Sequence, residues 1–220
     1  MLRQNSVSFE ETVESKREHG ADYWGPERIE LIFTAWADCN HEACKQAIAI
    51  TGTGGVEQYF NESDEEYDWQ ETFSPTQIRP APKIIDLPPS CPKSILGLFD
   101  AAFSLFWTDA EASAGKIRSA LEELLTHLGV PDTDKTDPAK PKRLSLHKRI
   151  DLLQKTHPEQ SRLLMAIKWM GNSGSHGGSV SRRDVLDALE ILEHTLPELL
   201  DKKSDQVKAL ADRLLKKHQP

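Results

Sequence analysis

Residues 166–176 read AIKWMGNSGSH, and the meaning given to these eleven residues sets the reading of the rest of the chain. A run of helical spacing, Leu163, Leu164, Ala166, Ile167, Trp169 and Met170, delivers Lys168, then Gly171-Asn172, then His176, into a stretch where Gly174, Gly177 and Gly178 crowd together. Lys168, Asn172 and His176 are spaced four apart, so a helix continued to His176 stacks all three on one face. A helix ending at Gly171 lets the glycines fold the same groups back over its end. On either path a cation, an amide and an imidazole converge. In the structural reading Gly171 is a C-cap, Asn172 a left-handed cap residue and His176 a donor to the last carbonyls. In the functional reading His176 exchanges a proton near neutral pH. Lys168 then balances a phosphate charge, and the N–H groups of the Gly-rich turn add an anion-binding concavity.

A basic residue, two apolar residues, Gly-Asn and then small residues before His resembles the signature of the HEPN-like "domain of unknown function 4145" family. Upstream, Lys116 to Glu122 (KIRSALE) resembles that family's Arg-x-x-Leu-Glu helix, and Leu146 to Ile150 (LHKRI) resembles its next helix. The match covers about residues 84–200. The resemblance implies a mainly α fold, a HEPN-like helical bundle of five to six helices, here preceded by a small N-terminal antiparallel β module. It also implies a homodimer, in a superfamily that includes metal-independent ribonucleases of toxin and anti-phage systems. Those nucleases carry Arg, a polar residue, three others and His. Asn172 and His176 fit the last part, but Gly171 stands where the Arg would be. Lys168, one turn earlier, is the nearest substitute, and a lysine point charge does not reproduce bidentate guanidinium contact with phosphate.

Two functions follow as expectations. The first is a non-catalytic module that binds a nucleotide, RNA or a partner protein, within a phage-defence or restriction system as family relatives suggest. The alternative is a metal-independent endoribonuclease with His176 as general acid or base, Lys168 balancing charge and Asn172 orienting the phosphate or ribose hydroxyl. In either case Arg118, Glu122 and Arg182 are candidate ligand-binding residues. The bland reading of Arg118 and Glu122 is an intrahelical ion pair; the sharper one has Glu122 orient Arg118 toward Lys168 and His176. Arg182 and Arg183 open a helix where positive charge opposes the dipole, a hint of an anion partner.

The 220-residue chain has 38% hydrophobic residues, enough for a buried core. Residues 1–80 hold 16 Asp and Glu against 6 Lys and Arg, a net of −10, while residues 81–220 hold 19 against 21, a net of +2. The acidic part repels nucleic acid, so any RNA contact is confined to a pocket or seam of the second part. No apolar run reaches membrane-spanning length and the N-terminus lacks a signal-peptide core, so the expected location is the cytoplasm. Three cysteines, Cys39, Cys44 and Cys91, are too few for a disulfide framework. Cys39, His41 and Cys44 suggest a metal site but lack a fourth ligand, so no metal or cofactor is expected.

Two regions are expected, an acidic one over residues 1–80 and a helical one over residues 81–217. Residues 1–26 read as loop or a short helix. Ile29–Trp36 and Lys45–Thr51 read as a hairpin around CNHEAC, with a third strand over Val56–Phe60 after Gly52-Thr53-Gly54-Gly55. Asn61–Glu71 reads as a solvated acidic loop, and the proline-rich Phe73–Pro92 as a stiff connector. Cys91 in that connector reads as an inert thiol. Helices are expected from Ser90 or Pro92 through Trp107, from Ala110 after the Asp109 cap to Leu128, from Ser145 through Thr156, from Glu159 to Met170, and from the Ser181/Asp184 capping box onward. Val130–Arg143 reads as a polar loop, Pro197 as a kink or break, and Asp205–Lys217 as a last amphipathic helix.

Overall fold

Alternation decides the first half of the chain. Between Glu30 and Asp38 the residues Leu31, Phe33, Ala35 and Ala37 are buried and those between them exposed, the period of a strand with one covered face. The computed structural model describes residues 1–40, 42, 44–134, 136, 141–170, 179–201, 210–215 and 217, side chains 169 and 170 excepted. Its contacts divide the chain into two units, Met1–Pro82 and Lys83–Pro220.

The first unit holds β1 (Ser8–Glu11), α1 (Val13–Glu18), a 3-10 turn (Pro26–Arg28), β2 (Glu30–Asp38), β3 (Ala47–Asn61) and β4 (Glu66–Arg79). The strands form one antiparallel sheet in the order β1-β2-β3-β4. Ser15 ties α1 to this sheet: its hydroxyl donates to Glu11 Oε1 (2.6 Å) and accepts from the Glu30 N–H (3.1 Å). That hydroxyl, followed by His19 at 2.6 Å, holds the Glu11 carboxyl below its ordinary value.

The sheet corrects the expectation of a mainly α chain, a helical bundle with a small β module ahead of it. The fold is mixed: the chain contains a four-stranded sheet, with strands of 15 and 14 residues at β3 and β4, as well as its helices. Three local readings underlie the error. Gly52 to Gly55, read as separating a second strand from a third, lie inside β3 and pair with both neighbours. A Cβ on Gly52 would come within 2.2 Å of the Ser74 carbonyl, so glycine here marks a close cross-strand approach. The acidic run after Asn61 is a loop only over residues 62–65, and from Glu66 it is the edge strand β4, where carboxylates face water without leaving the ladder. Ser8–Glu11, read as loop or helix, adds the opposite edge by pairing Phe9 with Phe33.

The second unit contains α2 (Lys93–Phe106), α3 (Ala110–His127), the two-residue strands β5 (Thr133–Asp134) and β6 (Lys142–Arg143), α4 (Leu146–Leu153), α5 (Pro158–Met170) and α6 (Arg182–Leu200), with residues 210–215 also helical. Start signals act as the residue types dictate: Asp109 accepts from the Ala112 N–H (2.9 Å) and Ser145 from the Lys148 N–H (3.4 Å). Gly129, at φ +77°, ends α3 in the left-handed conformation glycine tolerates. α3 is central, touching α2, α4, α5 and α6. It buries Ile117, Leu121, Leu124 and Leu125 against Phe99 and Phe103 of α2, Ile150 of α4, Leu164 of α5 and Leu192 of α6. Each such side chain contributes on the order of 1.5–3 kcal/mol by leaving water. α6 runs through Pro197 to Leu200. The missing N–H costs one bond, and Leu192, Leu196 and Leu199, buried on both sides of the proline, hold the helix together.

Candidate functional site

α5 is anchored before it reaches the motif. Ser161, buried near its start, donates to the Ile150 carbonyl of α4 (2.8 Å), and Leu164 and Ile167 follow on the same covered face. Helical phase carries that face to Lys168, which is 8% exposed. An ammonium in the last turn of a helix is favoured by the negative end of the dipole, and a lysine stem packs well against apolar neighbours. Asn172 and His176 lie outside the described residues, so their placement relative to Lys168 is not described.

Ser181 caps α6. The Asp184 N–H donates to Ser181 Oγ (3.2 Å), while Ser181 donates back to Asp184 Oδ2 from its N–H (2.8 Å) and from its hydroxyl (2.7 Å). These bonds, the side-chain one first, hold the Asp184 carboxyl below its ordinary value. Arg182, in the first turn, donates to the carbonyl of Trp107 at the C-cap of α2. A cation at the opening of α6 thereby sits on the negative end of α2, which gives it a structural partner in addition to its nomination as an anion-binding residue. Arg183 pairs with Asp187 at 3.0 Å.

Arg118 and Glu122 lie together on α3, Nε to Oε1 at 3.8 Å, and Arg143 of β6 reaches the other carboxylate oxygen at 3.6 Å. All three side chains are well exposed, in the range where ion pairs contribute little to stability. His147 stands 3.3 Å from Asp151 on α4.

Arg149 is a polar residue that was not among the sequence candidates, and it lies inside rather than on the surface. It is 5% exposed. Its guanidinium donates to the Glu122 carbonyl (3.0 Å), Thr126 Oγ1 (2.9 Å) and the Val130 carbonyl (3.0 Å), answering groups at the C-terminal end of α3. The signal was present: Leu146, Arg149, Ile150 and Leu153 share one helical stripe, so Arg149 falls on the apolar face of α4.

Cys91 is buried, and desolvation pushes its thiol up from the ordinary value, against a role as nucleophile. Cys39 and Cys44 flank the β2–β3 connection, closed by the Cys39 N–H on the Gln46 carbonyl (2.9 Å), and His41 lies outside the described residues. Among the described residues no three His, Cys, Asp or Glu side chains gather as a metal site, and no helix is long and apolar enough to cross a membrane.

Comparison with known proteins gives two matches. Residues 100–217 match the model of a family described as "Domain of unknown function (DUF4145)", and residues 1–78 match that of another, "Domain of unknown function (DUF8608)". The boundary between the two matches falls near the boundary between the two structural units. No curated protein and no solved structure matches the chain.

Proposed function

The chain belongs to the DUF4145 family, and from that premise we propose that its second unit is a non-catalytic binding module for a phosphate-bearing ligand, a nucleotide or an RNA end. The observation that carries this reading is Lys168, an ammonium drawn into the last turn of α5 at 8% exposure, immediately ahead of a Gly-rich stretch that holds Asn172 and His176. A largely buried cation interacts with an anion at lower effective dielectric than one on the surface. Glycine N–H groups add donors without adding side chains. The near-neutral charge of residues 81–220 supports one local anion site over broad coating of nucleic acid.

The HEPN-like relationship is part of the same proposal and rests on the spacing of Lys168, Asn172 and His176. It does not extend to catalysis: Gly171 stands where the nucleases of that superfamily carry arginine, and a lysine one turn away offers one point charge in place of a planar fork. Such a module gains stability when its ligand is present and leaves the ligand intact.

The test incubates the full-length protein in chelator with a 5′-phosphorylated, mixed-sequence RNA and, separately, with a nucleoside triphosphate, following melting temperature and ligand integrity together. The expected result is a rise in melting temperature, about 2.7 kcal/mol of stabilisation at a ligand concentration of 100 Kd, with intact ligand. Lys168→Met, which keeps the stem and removes the charge, should lose that rise. RNA cleavage that vanishes in His176→Ala of equal melting temperature would establish the nuclease instead. No shift with either probe would remove the phosphate reading.

A further inference from the structure

β2 pairs with β3 only as far as Gly55. Beyond it, Val56–Asn61 of β3 and Glu66–Glu71 of β4 continue as a two-stranded arm. Ser63 N–H on Asn61 Oδ1 (3.0 Å), Asn61 Nδ2 on Asp64 Oδ2 (2.8 Å) and Glu65 at φ +54° close its turn. Alternation along each strand and pairing across them divide the arm into two faces. Phe60, Tyr67 and Trp69 share one face, and the Phe60 and Tyr67 rings meet edge to face at 5.3 Å. These three remain 51%, 69% and 37% exposed. The other face carries Glu57, Glu66 and Asp68.

The arm is acidic throughout. From Glu57 to Glu71 the sequence, EQYFNESDEEYDWQE, contains seven carboxylates and no Lys, Arg or His. β4 is the outer strand of its sheet, 14 residues long, with no strand beyond it among the described residues. Its Trp69 N–H donates to the neighbouring Asp68 carboxylate at 2.8 Å. A long edge is a template for another strand unless charge guards it. Here the guard has one sign, which turns it into a selection rule.

We infer that the β3–β4 arm is a docking surface for an extended, lysine- or arginine-rich segment of a partner protein, which adds to the edge of β4 as a further strand. An incoming strand alternates its side chains as β4 does. Basic residues at every second position then lie beside Glu66 and Asp68, and apolar residues at the positions between lie beside Tyr67 and Trp69. A basic side chain displaced onto the aromatic face still gains a cation–π contact. Charge selects this occupant: nucleic acid and anionic lipid are repelled, as is the first unit of a second copy, whose residues 1–80 carry a net of −10. The inference concerns the first unit and is independent of the phosphate reading of the second.

The test is fluorescence anisotropy of full-length protein with a labelled decapeptide of alternating lysine and valine. Saturable binding is expected, weakened about tenfold by Trp69→Ala or Tyr67→Ala, the size expected for loss of an aromatic anchor. The double substitution Glu66→Lys with Asp68→Lys, at two exposed positions that leave the apolar face intact, should abolish it. The same peptide N-methylated on alternate residues, unable to complete a ladder, should not bind. Equal affinity for an alternating lysine-glycine peptide would overturn the inference, because it would reduce the surface to charge alone. So would the absence of saturable binding, indifference to the aromatic substitutions at unchanged melting temperature, or mixed-sequence RNA competing for the arm.

Discussion

Arg149 shows how much one side chain can hold. It lies almost wholly buried, with its guanidinium spread over three acceptors at the end of α3. Those acceptors are two backbone carbonyls and a hydroxyl, so the planar fork with its fixed donors matters as much as the charge. Arg149→Met leaves the carbonyls of Glu122 and Val130 without this donor, and it should cost about 2–4 kcal/mol in urea unfolding at neutral pH. Arg149→Lys should recover only part of that, because one ammonium cannot reach all three acceptors. Gly52 is the second decisive residue. Gly52→Ala should destabilise the protein by more than about 2 kcal/mol, since close-packed interiors do not absorb a 2.2 Å approach of a new carbon to the Ser74 carbonyl without backbone movement. Parallel measurements of melting temperature on Gly52→Ala and on Gly97→Ala, where nothing lies within 4 Å of an added Cβ, would separate close approach from loss of glycine itself.

Caps set the behaviour of single elements. The reciprocal bonds between Ser181 and Asp184 open α6. Ser181→Ala should lower stability by about 1 kcal/mol, read from the urea midpoint at constant slope. The Asp184 carboxyl is depressed below its ordinary 3.8, chiefly by the Ser181 side chain. Its contribution is therefore fully present above that ordinary value and is lost as pH falls through the lower folded value. The stability gap between the natural protein and Asp184→Asn should accordingly be constant from pH 7 to pH 5 and narrow on acidification below 3.8. A gap that widened on acidification would contradict the cap geometry. The helix boundaries were legible for the same reason that these caps work: Asp109, Ser145 and Ser181 are residues whose short side chains answer their own backbone. The long strands were not, because glycines and carboxylates disguise a strand whose partners are remote in sequence.

At the scale of the molecule, each unit draws on its own residues. The cluster from Ile85 to Leu199 is built entirely within Lys83–Pro220, and the pairings of β1 to β4 lie entirely within Met1–Pro82. A fragment of residues 83–220 should therefore unfold cooperatively, with helical circular dichroism and a urea slope in proportion to its size. A gradual, slope-less transition would show that the first unit is needed to complete the second. The division matches the charge asymmetry of −10 against +2, visible in composition before any coordinate. It also separates the features from which function is proposed: the acidic, aromatic arm belongs to the first unit and the buried Lys168 to the second.

What the sequence determined by itself was local. Caps, helical stripes, the β2–β3 hairpin and the segregation of charge follow from interactions within a few residues or from bulk counts. Lys168, Asn172 and His176 could be nominated from spacing, and the Arg118–Glu122 pair from a single helical turn. The tertiary structure decided what depends on residues far apart in the chain. It placed Gly52 to Gly55 inside a strand because β4 returns to press against them. It buried Arg149 because α3 ends above α4, and it joined Arg182 to Trp107 across 75 positions. It left Tyr67 and Trp69 exposed on the arm that runs on past the end of β2. A side chain's solvent exposure and partners are set by what the remainder of the chain brings beside it, and only the folded arrangement contains that information.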